Sequence, residues 1–279
     1  MALPILIVNP NTTESMTRGL ETMLEPYLAS SPLRRPTFWT APSGVPSINS
    51  LADCHTSALA CLPALVPLLS THSAVLVACY SVHPLVDLLQ PHPSSGPPPP
   101  PPQEPKPILG IFEASVLACL AHIGPTSTTG DGDGDGNGDE RAFGIVSTGK
   151  AWEPLLAAGV RDLLLPGGRD DRDRPGAGSW DQFAGVETTG LDATELHDAP
   201  PALVRERIKA AVKRLIRRAQ ARGQKLGAVC LGCAGMAGMD ETVREACVEE
   251  LGAERGRDVE IVDGVKAGWA MLDALVRAN

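Results

Sequence analysis

The chain has 279 residues, 43% hydrophobic and 20% charged, with 24 Lys and Arg against 33 Asp and Glu for a formal net charge of −9. This composition is ordinary for a globular enzyme of two domains, while the negative charge and a 4% aromatic content argue against nucleic-acid or anionic-membrane partners. No apolar run reaches the length of a membrane span, the start MALPILIVNPNTT lacks the marks of a secretory signal, and seven cysteines fit reduced thiols in the cytoplasm better than a disulfide framework.

Taken in order, Pro4 to Val8 is a short apolar run, and Asn9-Pro10-Asn11-Thr12-Thr13 after it supplies caps for a helix over 14–28. Thr37 to Ala41 predicts a second strand, leading into the turn-rich Pro42-Ser43-Gly44-Val45-Pro46-Ser47-Ile48. Ser50 caps a helix to about Leu69, bent at Pro63 and Pro67. The buried-strand run Ala74 to Cys79 is followed by Tyr80-Ser81-Val82-His83 and a short helix, Pro84 to Leu89. Residues 91–107, with unbroken proline from 97 to 102, read as an extended spacer inserted at the surface.

Ile108 to Phe112 opens a second set of elements, with a helix over 113–122. The Asp-Gly repeat within 125–140 holds five of the acids but lacks the glutamate that an EF-hand loop needs at its twelfth position, so it reads as a flexible acidic insert. Ala142 to Val146 is again strand-like and ends in Ser147-Thr148-Gly149-Lys150. A helix over 151–163, a polar loop over 166–180 and a short strand over 184–187 follow. Val204, Ile208, Val212, Leu215, Ile216 and Ala219 mark one face of a helix from Pro200 to Ala221, whose basic residues form a solvated face. The run LGAVCLGCAGM then carries Cys230 and Cys233, before a helix over 239–251, a strand over 259–262 and a closing helix over 265–278.

Alternating strands and helices of this kind predict an α/β protein with parallel sheets. ILIVNPNT echoes GIVSTGK, and VLVACYS echoes AVCLGCA, so two halves of similar plan each contribute a polar loop and a thiol. The first α/β domain is expected over 1–107 plus 258–279 and the second over 108–257, with a site at their interface.

Two cysteines on opposite walls of a pocket suit removal of a proton from one face of a carbon and its return to the other. One acts as a thiolate base and the other as a thiol acid, with no cofactor and no metal. A helix terminus and nearby N–H groups are expected to lower the thiol pKa toward neutrality. Asn11, Thr12, Ser147, Thr148 and backbone N–H groups at the cysteine loops are candidates to hold a developing enolate oxygen. The alternatives are plain: a cysteine ending an apolar strand is often a small buried hydrophobe, and Cys230 with Cys233 spells a C-x-x-C redox or zinc element. Zinc would need two further ligands gathered from elsewhere, and redox chemistry would need both thiols at a helix start. His83 reads either as a tuner of Cys79 or as a cap; Cys54, Cys61, Cys119 and Cys247 fall on helical patterns and read as structural.

ILIVNPNTT, APSGVPSI, ACYSVHPL, GIFEAS, GIVSTG and LGCAGM, in this order, resemble the Asp/Glu racemase superfamily, and within it the hydantoin and allantoin racemase group. The resemblance implies two pseudo-symmetric Rossmann-like, flavodoxin-like α/β domains. It implies cofactor-independent racemisation of a 5-substituted hydantoin, allantoin or related ureide by Cys79 and Cys233. It further implies that Asn11, Thr12, Pro46, Tyr80, Ser81, Ser147, Thr148, Gly149, Gly232, Ala234 and Gly235 surround a small-molecule substrate. Tyr80-Ser81 stands where bacterial members often carry Gly-Asp, a departure that bears on which substrate fits. A free amino-acid racemase and a non-catalytic metabolite-binding protein are the alternatives. A cytoplasmic homo-oligomer is the expected form.

Overall fold

The computed structural model describes residues 3–29, 35–90, 106–124, 141–165, 182–236 and 238–278. The Pro-rich stretch to residue 105, the Asp-Gly insert and the polar loop over 166–180 lie outside the described residues. Eight strands and ten helices alternate along the described chain, with two 3₁₀ turns.

Four parallel strands, β1 (Ile5–Asn9), β2 (Thr37–Thr40), β3 (Ala74–Val77) and β4 (Ile108–Gly110), form a sheet in the order β2-β1-β3-β4. Four more, β5 (Arg141–Ser147), β6 (Phe183–Thr188), β7 (Lys225–Gly232) and β8 (Glu260–Asp263), form a second in the order β6-β5-β7-β8. The two orders correspond strand for strand. The central strands β1 and β3 are buried along their whole length, as parallel strands covered on both faces must be. Continuous apolar runs, rather than alternating ones, are the sequence form of that double burial.

The chain divides into two units, Met1–Ala114 with Gly264–Asn279, and Ser115–Asp263. Both boundaries differ from those expected at 107/108 and 257/258. Ile108–Gly110 pairs with β3 (Val75↔Ile108, Val77↔Gly110) and so closes the first sheet. Glu260–Asp263 pairs with β7 (Ala228↔Glu260, Leu231↔Asp263) and closes the second. An edge strand of three or four residues carries no mark of which sheet it joins; only its lateral partner decides.

In the first unit, α1 (Glu14–Ala29), α2 (Leu51–Leu65), α3 (Pro84–Leu88) and α10 (Gly264–Ala278) accompany the sheet. Ser50 caps α2 by accepting from the Asp53 N–H at 3.1 Å, and the Asp53 carboxylate accepts in return from the Ser50 hydroxyl and the Asn49 N–H. The helix runs through Pro63 and passes at Val66 into a 3₁₀ turn, Val66–Thr71, with Pro67 at its start. Counted through that turn, this segment does have the length and apolar character to cross a membrane, unlike any single run considered in sequence. Here its stripe Ala58, Cys61 and Leu65 packs with Leu6, Val8, Val75 and Val77 in the core.

Helix α4 (Ile111–Ile123) begins in the first unit and continues into the second from Ser115, where α5 (Trp152–Leu164), α6 (Glu195–Asp198), α7 (Pro201–Ala221), α8 (Asp240–Leu251) and α9 (Ala253–Asp258) follow. The apolar face of α7, with Val204, Ile208, Leu215 and Ile216, is core. Its basic face is not simply solvated: it lies along the acids of α8. Arg205 pairs with Glu245, Lys209 with Glu249 at 2.6 Å, Lys213 with Glu249 at 2.8 Å and Arg217 with Glu250 at 2.7 Å. The i, i+4 spacing of bases on one helix meets the same spacing of acids on its neighbour. That complementarity needs both helices and is invisible in either.

At the start of α10, a Cβ on Gly264 would stand 2.4 Å from the carbonyl oxygen of Ile111, a backbone atom that cannot swing away. Gly264→Ala should therefore destabilise the protein by about 1–3 kcal/mol, the usual range for forced overpacking, read as a lower urea midpoint at unchanged m.

Candidate active site

In a parallel α/β sheet, polar chemistry collects beyond the C-terminal ends of the strands, because the faces are filled. In the first unit the loops after β1, β2 and β3 meet there. Buried Asn9 ends β1 and donates its amide to Asn11 Oδ1 (3.2 Å), the Thr13 carbonyl (3.1 Å) and Thr17 Oγ1 (3.0 Å). Asn11 Oδ1 also accepts from the Thr13 N–H at 2.9 Å, an Asx turn that delivers the chain into α1. Thr12 donates its N–H to the Val45 carbonyl (3.0 Å), and the Thr13 hydroxyl donates to the carbonyl of Pro46 (2.7 Å), so the loop over 42–48 is tied to the loop after β1. The carboxamide of Asn11, expected to face a ligand, has its oxygen turned inward to organise this loop. Asn9 is the hub that sequence reasoning passed over; its place as the last strand residue, before Pro10, is the signal.

Cys79 follows β3 by two residues and is part-exposed, whereas the Tyr80 ring turns into the fold edge-to-face against Phe112, with centroids 5.7 Å apart. The Ser81 hydroxyl, almost fully buried, lies 3.4 Å from Cys79 Sγ and accepts a hydrogen bond at 3.5 Å from Cys54 Sγ. Cys54 was expected to be structural, from its place in the apolar stripe of α2. Its thiol instead reaches the Cys79 loop, and the hydrogen bond from Cys79, with help from Ser81, pulls it down to about 7 against the cost of burial. His83 caps α3, its Nδ1 accepting from the Leu85 N–H at 3.3 Å. Burial holds the ring neutral by lowering its pKa to about 4. Capping, of the two roles considered for His83, is the one it fills.

Glu113, on the first turn of α4, is half-buried, with its Oε2 shut off from solvent. Desolvation raises its carboxyl to about 7, Asp87 adds to the rise, and its own N–H and that of Gly110 oppose it.

In the second unit, Ser147 ends β5 and donates its hydroxyl to the Gly232 carbonyl at 2.6 Å. Gly232 itself has no room for a side chain: a Cβ would lie 2.7 Å from the Val146 carbonyl oxygen. The Ser147 and Thr148 carbonyls accept from the Thr189 and Gly190 N–H groups, at 2.9 and 3.0 Å, and both residues are buried. Gly149 turns the chain into α5, its carbonyl accepting from Trp152. The Ser147 hydroxyl thus holds the thiol-bearing strand in place, rather than being turned toward open space. A groove of about 380 Å³ opens beside this loop among Lys150, Glu153, Thr188, Arg207 and Arg214, and neither Cys79 nor Cys233 lines it.

Cys233 is part-exposed directly after β7 and accepts from the Gly235 N–H at 3.3 Å. Ala234–Met236 is a 3₁₀ turn, and α8 does not begin until Asp240, so no helix terminus adjoins the sulfur. Its pKa is accordingly not lowered: burial pushes it up to about 11, with the Gly235 and Met236 N–H groups pulling back. Cys230 does not join it. Cys230 lies within β7, fully buried, its sulfur 3.2 Å from that of Cys119. The C-x-x-C spacing brings no redox or metal pair together, because side chains alternate between the faces of a strand: Cys230 within β7 turns to Cys119, and Cys233 beyond its end turns to the Gly235 N–H. Among the described residues no cluster of His, Cys, Asp and Glu could hold a metal ion.

Ser147→Ala leaves the buried Gly232 carbonyl without its donor and should cost about 1–3 kcal/mol in urea unfolding. For Glu113, the folded protein holds a proton more tightly than the unfolded chain between about pH 4.5 and 7, so its contribution to stability is present at low pH and lost as pH rises through 7. Glu113→Gln should abolish that fall, gaining up to about 3 kcal/mol over wild type on going from pH 4 to pH 8.

The sequence matches the family model described as Asp/Glu/Hydantoin racemase over residues 5–272. The uncharacterized protein C1F7.10 of Schizosaccharomyces pombe is 30% identical over 99% of this chain and 92% of its own. Among solved structures, an allantoin racemase from Pseudomonas fluorescens is 22% identical with a TM-score of 0.63, over 99% of this chain and 92% of that one. One from Klebsiella pneumoniae is 20% identical with a TM-score of 0.64, over 99% and 89%. Those two likenesses establish a shared α/β fold, and with the family match they lead to one conclusion: this chain is a member of the Asp/Glu/hydantoin racemase family.

Proposed function

We propose that this protein is a cofactor-independent racemase of 5-substituted hydantoins, allantoin or related ureides, working through Cys79 and Cys233. One observation carries the reading. Of seven cysteines, five are buried, and the two part-exposed ones follow β3 and β7, the third strands of two sheets with the same order. Two thiols at equivalent places in two equivalent halves are what a reaction with two equivalent faces requires. Family membership supports racemisation, and kinship of fold with proteins named allantoin racemases supports a ureide ring over a free amino acid.

In this mechanism a thiolate takes the proton from the carbon beside the ring carbonyl, and the electron pair of the broken C–H bond moves onto the carbonyl oxygen as an enolate. The opposite thiol then delivers its own proton to the other face. The product is the mirror-image ring, and the two sulfurs have exchanged protonation states. With burial holding the Cys233 thiol up near 11, Cys233 is the donor in the resting protein at neutral pH, and the Cys79 side takes the first proton. Backbone N–H groups at the two cysteine loops are the donors available to the enolate oxygen.

Enantiopure allantoin and a panel of 5-substituted hydantoins, followed by polarimetry in D2O, test this directly. Wild type should racemise at least one substrate and wash deuterium into its stereocentre faster than the spontaneous rate. Cys79→Ser and Cys233→Ser should each lower racemisation by about 10²–10⁴-fold with unchanged unfolding midpoints. Full racemisation by either variant would end the two-thiol reading, and a protein that binds these rings without exchange would be a binding member of the family.

A further inference from the structure

Cys54 has no part in the reaction as written, yet it touches one of its two sulfurs. It sits in the first turn of α2, fully buried, and α2 is set by the Ser50 and Asp53 capping pair. From there its Sγ donates to Ser81 Oγ at 3.5 Å, Cys79 Sγ lies 3.4 Å from that same oxygen, and the two thiols are hydrogen-bonded to each other. Thiol, thiol and hydroxyl each donate and accept, so the cluster can lose one proton and still leave the remaining negative charge solvated by its own members. A fully buried thiol at this place, facing a part-exposed one, is more than packing.

We propose that Cys54 is a positioning residue for this site: it and Cys79 share a proton, with Ser81 holding both, so that Cys79 passes between thiol and thiolate with an internal partner rather than with solvent. This rests on the reading of Cys79 as one of the two reacting thiols. In the balance of charge, whichever sulfur is deprotonated receives the hydrogen bond of the other, and the net charge of the cluster changes only when the substrate proton arrives or leaves.

The surroundings explain why hydrogen bonds must carry this. Asp53, on the same helix, opposes negative charge at Cys54, and its carboxylate is already engaged by Ser50 and Asn49. His55 is the other titratable group nearby on α2, and α3, which packs on α2, brings Asp87 and is preceded by His83. His83 is neutral above about pH 4 because it is buried, so it supplies no cation to a thiolate. The lowering of Cys54 to about 7 accordingly comes first from Cys79 and then from Ser81.

The test measures carboxamidomethylation of Cys79 by iodoacetamide against pH, mapped by mass spectrometry on the full chain, for wild type, Cys54→Ala and Cys54→Ser. Cys54→Ala should move the alkylation midpoint of Cys79 up by about one pH unit, slowing labelling at pH 7 about tenfold, and Cys54→Ser, which keeps a donor, should restore more than half of the shift. The low-pH limb of kcat for racemisation should move by the same amount, with KM within about twofold. A midpoint unchanged in a folded Cys54→Ala protein overturns the proposal. An alkylation shift in a protein whose wild type racemises nothing upholds the shared proton and removes the racemase reading, so the two failures are distinct. If Cys54→Ala does not fold, ultraviolet titration of thiolate in Cys79→Ala, which removes the donor to Cys54, decides instead: loss of the neutral-pH thiolate signal supports the pair, and a signal equal to wild type overturns it.

Discussion

A parallel sheet buried on both faces can present polar groups only at its strand ends, and in this protein the hydrogen-bond ladder runs past those ends to hold the loops. The Ala41 and Ala78 N–H groups donate to Asn9 and Val8 beyond the last paired residues of β2 and β3. In the second unit, Thr189 donates to the Ser147 carbonyl and the Ser147 hydroxyl to Gly232. Everything proposed for Cys79 and Cys233 depends on this extension, because a thiol on an untethered loop would have neither a fixed direction nor a controlled environment.

The seven thiols divide by surroundings rather than by spacing. Cys119 and Cys230 press together in the core, where burial keeps Cys119 well above its ordinary value. Cys247 is raised to about 11 by burial alone, with Arg244 only partly opposing. Cys233 is raised as far, yet it keeps an opening and two N–H groups aimed at it. Cys54 is lowered because thiol and hydroxyl neighbours outweigh desolvation. Where burial acts alone a thiol becomes inert; where burial comes with hydrogen-bond donors it becomes adjustable.

The two halves also follow one plan in how they end. Each sheet is closed by a short edge strand, β4 or β8, and each edge strand runs directly into a helix, α4 or α10. The helix after β8 is part of the first unit, and most of the helix after β4 is part of the second. The closing helices are thus exchanged between the units along the chain. Gly264, the first residue of α10, is required by the approach of Ile111, the first residue of α4, so the two equivalent junctions touch.

The order of elements was legible in the chain itself, because long apolar runs and 3.6-residue stripes are local patterns: β1, β3, β5, β7, α2 and α7 all fall within a few residues of where those patterns put them. So was the echo between ILIVNPNT and GIVSTGK and between the two cysteine strands, which the matching strand orders bear out. Lateral and through-space relations were not. Which sheet takes β4 and β8, the pairing of α7 bases with α8 acids, and the inward turn of Ser147 each depend on a partner distant in sequence, whereas Asn11 is turned inward by Asn9 and Thr13, two residues to either side. The same holds for the thiols: sequence marked Cys79 and Cys233 by their place at strand ends, but a shift in pKa is set by what lies within a few ångströms. Only the fold could bring Cys54 to Cys79 and Ser81, or withhold the terminus of an α-helix from Cys233.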